Sequence, residues 1–82
     1  MVFAEDIRKT ILKLADEYGT ERTFDPSEVA RSVDKENWPQ LLDHVRFVAS
    51  VLIKEGKIIA TESGKVVDIT RSKGPLQFKK IR

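Results

Sequence analysis

Apolar residues recur at helical spacing in the first stretch of the chain. When each residue turns the helix by about 100°, Phe3, Ala4, Ile7, Ile11, Leu14, Ala15 and Tyr18 fall within an arc of about 120°. Asp6, Lys9, Lys13, Asp16 and Glu17 occupy the opposite arc. The pattern predicts an amphipathic helix over residues 4–18, with Leu12 off the stripe and partly exposed. Gly19 supplies the left-handed residue that commonly follows a helix end. A second start signal follows. Asp25 is placed to cap, Pro26 suits the first helical position, and Glu28 can reach back in a capping box. Phe24 and Val29 complete a hydrophobic staple, so a short helix is expected over residues 26–33. Ser27 reads as a helix-start residue and not as a nucleophile.

Residues 34–37 form a polar break. The Trp38-Pro39 pair disfavours the α region at Trp38 and lets Pro39 open a third helix over residues 39–55. Leu41, Leu42, Val45, Val48, Ala49, Leu52 and Ile53 form its apolar stripe. Asp43, Arg46, Phe47, Ser50 and Lys54 lie opposite, with His44 and Val51 at one margin. After Gly56 the period changes to that of strands. Residues 58–61 and 66–69 read as a hairpin around Glu62-Ser63-Gly64-Lys65. Gly74-Pro75 marks another turn, and residues 76–79 alternate as an edge strand would.

Helix, short extended piece at Thr23-Phe24, short helix, longer helix and hairpin is the element order of an α+β winged helix. In that fold a three-helix helix-turn-helix core carries a β-hairpin wing. The strand before the second helix is expected to pair with the hairpin in a small antiparallel sheet. One domain over residues 1–82 is expected, its core at about 3–70 and a basic C-terminal segment at 71–82.

Particular residues add to this reading. Asp25-Pro26-Ser27-Glu28-Val29-Ala30-Arg31, Trp38 with Leu41-Leu42, Val45-Arg46, Leu52 with Glu55-Gly56-Lys57-Ile58, Gly64 with Val67-Asp68, and Gly74-Pro75 stand in one pattern. In these the chain resembles a small family of uncharacterised bacterial winged-helix-like domains of unknown function, over about residues 7–79. The resemblance implies a fold and a bacterial source, and no activity. Where the family pattern leads one to expect an arginine two positions after the proline, this chain has Gln77.

The chain has 82 residues, 40% hydrophobic and 34% charged, a balance that suits one small, self-folding domain with a charged surface. No cysteine is present and His44 is the single histidine, which excludes a disulfide framework, a thiolate zinc site and a thiol nucleophile. The charged N-terminus and an apolar stretch of residues 47–53 broken by Ser50 fit neither a signal peptide nor a membrane span. A cytoplasmic setting is expected. Net charge is +2, but it is polarised: residues 1–53 carry seven basic and ten acidic side chains, residues 54–82 eight and three.

Those features frame two functional readings. In the first, the third helix enters the major groove of DNA and the wing meets the backbone. Asn37, Gln40, His44, Arg46, Phe47, Ser50 and Lys54 are its helix candidates, with Lys65 in the wing and Arg71, Lys73, Lys79 and Lys80 in the C-terminal segment. Gln40 suits adenine and Arg46 guanine, while the lysines attract phosphate. Asp43 on the same face opposes it. In the second reading, Phe47 and Val51 contact a protein partner, and the domain serves an interaction or regulatory role without nucleic acid. Each residue also has a structural role open to it. Arg46 can close the fold on Asp68, Leu76 and Phe78 can cover Phe47 and Val51, and Trp38 can act as a lid on the core. Catalysis is not expected, because Asp43 and His44 are adjacent and point about 100° apart, so no triad forms with Ser50. No cofactor or metal is implied.

Overall fold

The computed structural model describes residues 3–72 and 74–81. It is an α+β arrangement of three helices and a four-stranded antiparallel sheet. The first helix, α1 (Ala4–Tyr18), buries Ile7, Ile11 and Ala15. Its start is held by the Phe3 backbone N–H, which donates to Asp6 at 3.1 Å. The Phe3 side chain, expected on the buried stripe, is 61% exposed because the stripe outruns the core at this end.

The two-residue strand β1 (Thr23–Phe24) leads into α2 (Pro26–Val33), where the Asp25 N–H donates to Glu28 Oε1 at 3.4 Å. Both staple residues, Phe24 and Val29, are fully buried core members. Asp34 Oδ1 then accepts from the N–H groups of Glu36 and Asn37, closing the polar break as a turn. The third helix does not begin at residue 39 as expected. Trp38–Leu41 form a 3₁₀ turn, and α3 proper runs Leu42–Lys54. The Gln40 N–H donates to the Asn37 carbonyl at 3.1 Å, an i to i+3 bond that leaves Pro39, which has no N–H, unchallenged. Trp38 therefore belongs to the turn. It is half-buried, with the Arg31 guanidinium 4.7 Å above its ring, which suits the lid role.

Val45, Val48, Ala49 and Leu52 put α3 at the centre of the core. Beyond it come β2 (Ile58–Glu62), β3 (Lys65–Val66) and β4 (Gln77–Lys80). Ser63 and Gly64 both take positive φ, 52° and 83°, in the two-residue turn between β2 and β3. The strand expected over 66–69 stops at Val66. One more rung, Val67 N–H to the Ala60 carbonyl, follows before Asp68 accepts from the N–H and Oγ1 of Thr70 and turns the chain away.

The sheet order is β1-β4-β2-β3, which corrects two expectations. Strand β1 pairs with β4 and not with the hairpin, and β4, expected at an edge, lies inside the sheet. The register explains this. Phe78 stands opposite both Phe24 and Ala60, so an aromatic from the C-terminal segment fills the layer over the helices. Its ring meets that of Phe24 edge-on at 5.8 Å. Leu76 and Phe78 are 4% and 0% exposed, so the core extends well past residue 70.

Candidate functional site

The outward side of α3 and the loop beyond β3 hold most of the residues singled out by sequence. Asn37 and Gln40 are exposed in the approach to α3, and His44, Phe47, Val51 and Lys54 are exposed along it. His44, Phe47, Val51 and Lys54 follow one another at steps of three and four, so they form a single line on α3, and Gln40 precedes them in the Trp38–Leu41 turn. Asp43 flanks that line and is also exposed. Ser50 is half-buried and its hydroxyl donates to the Phe47 carbonyl at 2.6 Å, the back-bonding usual for serine within a helix.

Phe47 and Val51 are not covered by Leu76 and Phe78, contrary to expectation; they remain 65% and 37% exposed. The pairing of β4 between β1 and β2 directs Phe78 into the core, out of reach of this face. A shallow hollow of about 150 Å³ lined by Ala4, Glu5, Arg8, Phe47, Val48 and Val51 extends the patch onto α1. At its rim Arg8 forms a two-pronged pair with Glu55, 2.7 Å and 3.2 Å. The Arg8 guanidinium holds the Glu55 carboxyl below its ordinary range, and Glu55 in turn raises Arg8.

Arg46 does not pair with Asp68. Its Nη2 donates to the carbonyls of Ile69 at 3.3 Å and Ser72 at 2.9 Å, so the side chain fastens the 69–72 turn to α3. Asp68 instead takes the hydroxyl and amide of Thr70, which depress its carboxyl, and lies 3.9 Å from Arg71. A second tie, which sequence reasoning missed, joins this turn to β2. The Ser72 hydroxyl donates to Glu62 Oε2 at 3.0 Å, and Glu62 Oε1 lies so near Gly74 that a Cβ there would stand 2.2 Å from it. The Gly74-Pro75 signal marked a turn; that Gly74 also admits a carboxylate needs the tertiary structure. A cleft of about 390 Å³ lies behind the turn, between Asp25, Pro26 and Ser27 on one side and Arg46, Pro75 and Leu76 on the other.

The remaining basic candidates scatter. Lys65 is exposed next to the β2–β3 turn, and the Arg71 side chain is 89% exposed. Lys73 lies outside the described residues. Lys79 and Lys80 are neighbours on β4 and so face opposite sides of the sheet. Lys80 donates to Asp16 on α1 at 2.8 Å. The structure thus fastens the 69–72 turn to α3 through Arg46, and holds Lys80 against Asp16 on α1. Among the described residues no group of three or more His, Asp or Glu side chains is placed to hold a metal ion, and no helix is long and apolar enough to cross a membrane.

The chain matches the family described as "Protein of unknown function (DUF3253)" over residues 4–80, and it belongs to that family. No curated protein matches it.

Proposed function

We propose that this member of a family of unknown function is a winged-helix domain that binds duplex DNA, with α3 in the major groove and residues 62–72 as the wing. The strand order supports the fold reading. With β1 beside β4 and β4 beside β2, the chain leaves the sheet on β2 and returns on its neighbour β4, and the exposed residues Ser63, Gly64, Lys65, Thr70 and Arg71 between them supply the wing. The observation that carries the functional reading is Arg46. By holding the carbonyls of Ile69 and Ser72, it sets the turn that bears Arg71 against the helix that bears His44 and Lys54. A pre-set helix and wing lose little freedom on binding. Arg46 is then a positioning residue, and its guanine-reading role passes to the exposed polar residues of α3.

The test is the salt dependence of binding to a labelled duplex by fluorescence anisotropy. If Lys54, Lys65 and Arg71 each neutralise one phosphate, log affinity falls with log salt at a slope of about −2.7. Changing all three to glutamine flattens that slope while the thermal melt is kept. A flat response in the unaltered protein overturns the reading. A second reading, docking of a protein partner on α3, is favoured by the 65% exposure of Phe47.

A further inference from the structure

We propose that the outward line of α3 reads thymine, with Phe47 and Val51 set against the 5-methyl groups of two thymines. The inference rests on the DNA reading above and names the bases that this site selects. Its starting point is the order of chemistry along the line: polar at His44, with Gln40 in the turn before it, apolar at Phe47 and Val51, basic at Lys54. Phe47 is 65% and Val51 37% exposed in that apolar middle, with Ala4, Glu5 and Arg8 of α1 beside them.

A B-form major groove presents donors and acceptors at every base pair, and one hydrocarbon feature, the thymine methyl. An apolar middle flanked by polar ends has therefore one type of base to rest on. The spacing agrees. Four residues of helix rise by about 6 Å, close to two base-pair steps of about 3.4 Å, so Phe47 and Val51 reach methyls two steps apart. Gln40, at the other end, has the paired donor and acceptor that suit adenine, the partner of thymine.

The charges beside the line are mixed, with Glu5 exposed in the same hollow as Phe47 and Val51. Arg8 neutralises Glu55 through their two-pronged pair, so Lys54 gives the last turn of α3 its net charge and meets phosphate. Asp43 beside the line is repelled by phosphate but accepts from the amino group of a base, which keeps it over base edges. The line thus lies along the groove floor, and the wing takes the backbone.

The experiment uses the full chain and three duplexes: alternating adenine–thymine, alternating adenine–uracil, which lacks only the methyl, and alternating guanine–cytosine. Affinities are compared at one salt concentration. The expected result is a preference for the thymine duplex over the uracil duplex of about fourfold per methyl contacted, from about 0.8 kcal/mol per buried carbon. Two contacted methyls give about fifteenfold. Phe47→Ser should abolish most of that ratio and keep the salt slope, while Phe47→Leu retains part of it. Equal affinity for the thymine and uracil duplexes, with salt-sensitive binding intact, overturns the thymine inference and leaves DNA binding standing. A ratio that Phe47→Ser leaves unchanged overturns it too. No binding to any of the three overturns it together with the reading beneath, and passes the patch to a protein partner.

Discussion

The two sides of α3 come from one stretch of thirteen residues and meet opposite fates. Inward, Val45, Ala49 and Leu52 are completely buried against α1, α2 and β2, and the side chains there are chosen by volume. Outward, Phe47 is more exposed than the lid residue Trp38, although both are large aromatics within ten residues of each other. The difference is not one of hydrophobicity. Trp38 has α2 beneath Arg31 to lie on, whereas the segment that could have covered Phe47 is committed to the sheet as β4. An apolar residue left outside by the fold's own connectivity is available for recognition, and one held inside is available for stability.

That contrast can be broken most severely from the inside. Leu52→Ala should cost about 2–5 kcal/mol, a large share of the stability of so small a domain, read as a lowered urea midpoint. Arg46→Met removes the charged donor from two carbonyls and should cost about 1–3 kcal/mol. It should also loosen the 69–72 turn, seen as faster amide exchange there and weaker duplex binding than the stability loss explains. Acid acts more mildly and on the periphery. Arg8 lowers Glu55, the amides of Asn37 and Glu36 lower Asp34, and Thr70 lowers Asp68. The unfolded chain then binds the extra protons, so the stability these groups contribute is present at neutral pH and lost as pH falls through and below the ordinary carboxylate range. Arg8→Met should remove the Glu55 share of that loss in melts followed from pH 7 to pH 3. Tyr18 runs the other way. Its hydrogen bond to Glu28 raises it, so its contribution is complete below about pH 10 and lost above it. Tyr18→Phe should flatten the alkaline side of the curve. Smallest of all, Phe47→Ser should move stability by no more than about 0.5 kcal/mol while changing recognition.

Local chemistry made much of the fold legible. Pro26 with Asp25 and Glu28 fixed the start of α2, and the tight turn at Ser63-Gly64 was visible as a glycine between β-rich runs. Alternation at 76–79 marked Leu76 and Phe78 as one face and Gln77 and Lys79 as the other, which is how they are buried. The pattern lacked a partner for that strand. Period-two alternation says which side chains share a face and nothing about which strand lies alongside, so neither the inner position of β4 nor the exposure of Phe47 follows from it. The candidate site divides in the same way. His44, Phe47, Val51 and Lys54 follow from helical spacing. The attachment of Arg46 to Ile69 and Ser72, and of Glu62 to Ser72, depends on backbone carbonyls and a loop path that spacing does not encode.

By itself the sequence determined the helices, their buried sides, the hairpin turn and the surplus of positive charge after residue 53, because each depends on neighbours within a few positions. Only the tertiary structure decided that β4 enters between β1 and β2, that Arg46 clasps the following turn, and that Phe47 stays in solvent. The pairings and the clasp join residues at least sixteen positions apart, and the closure of such long loops is governed by what the whole core can bury.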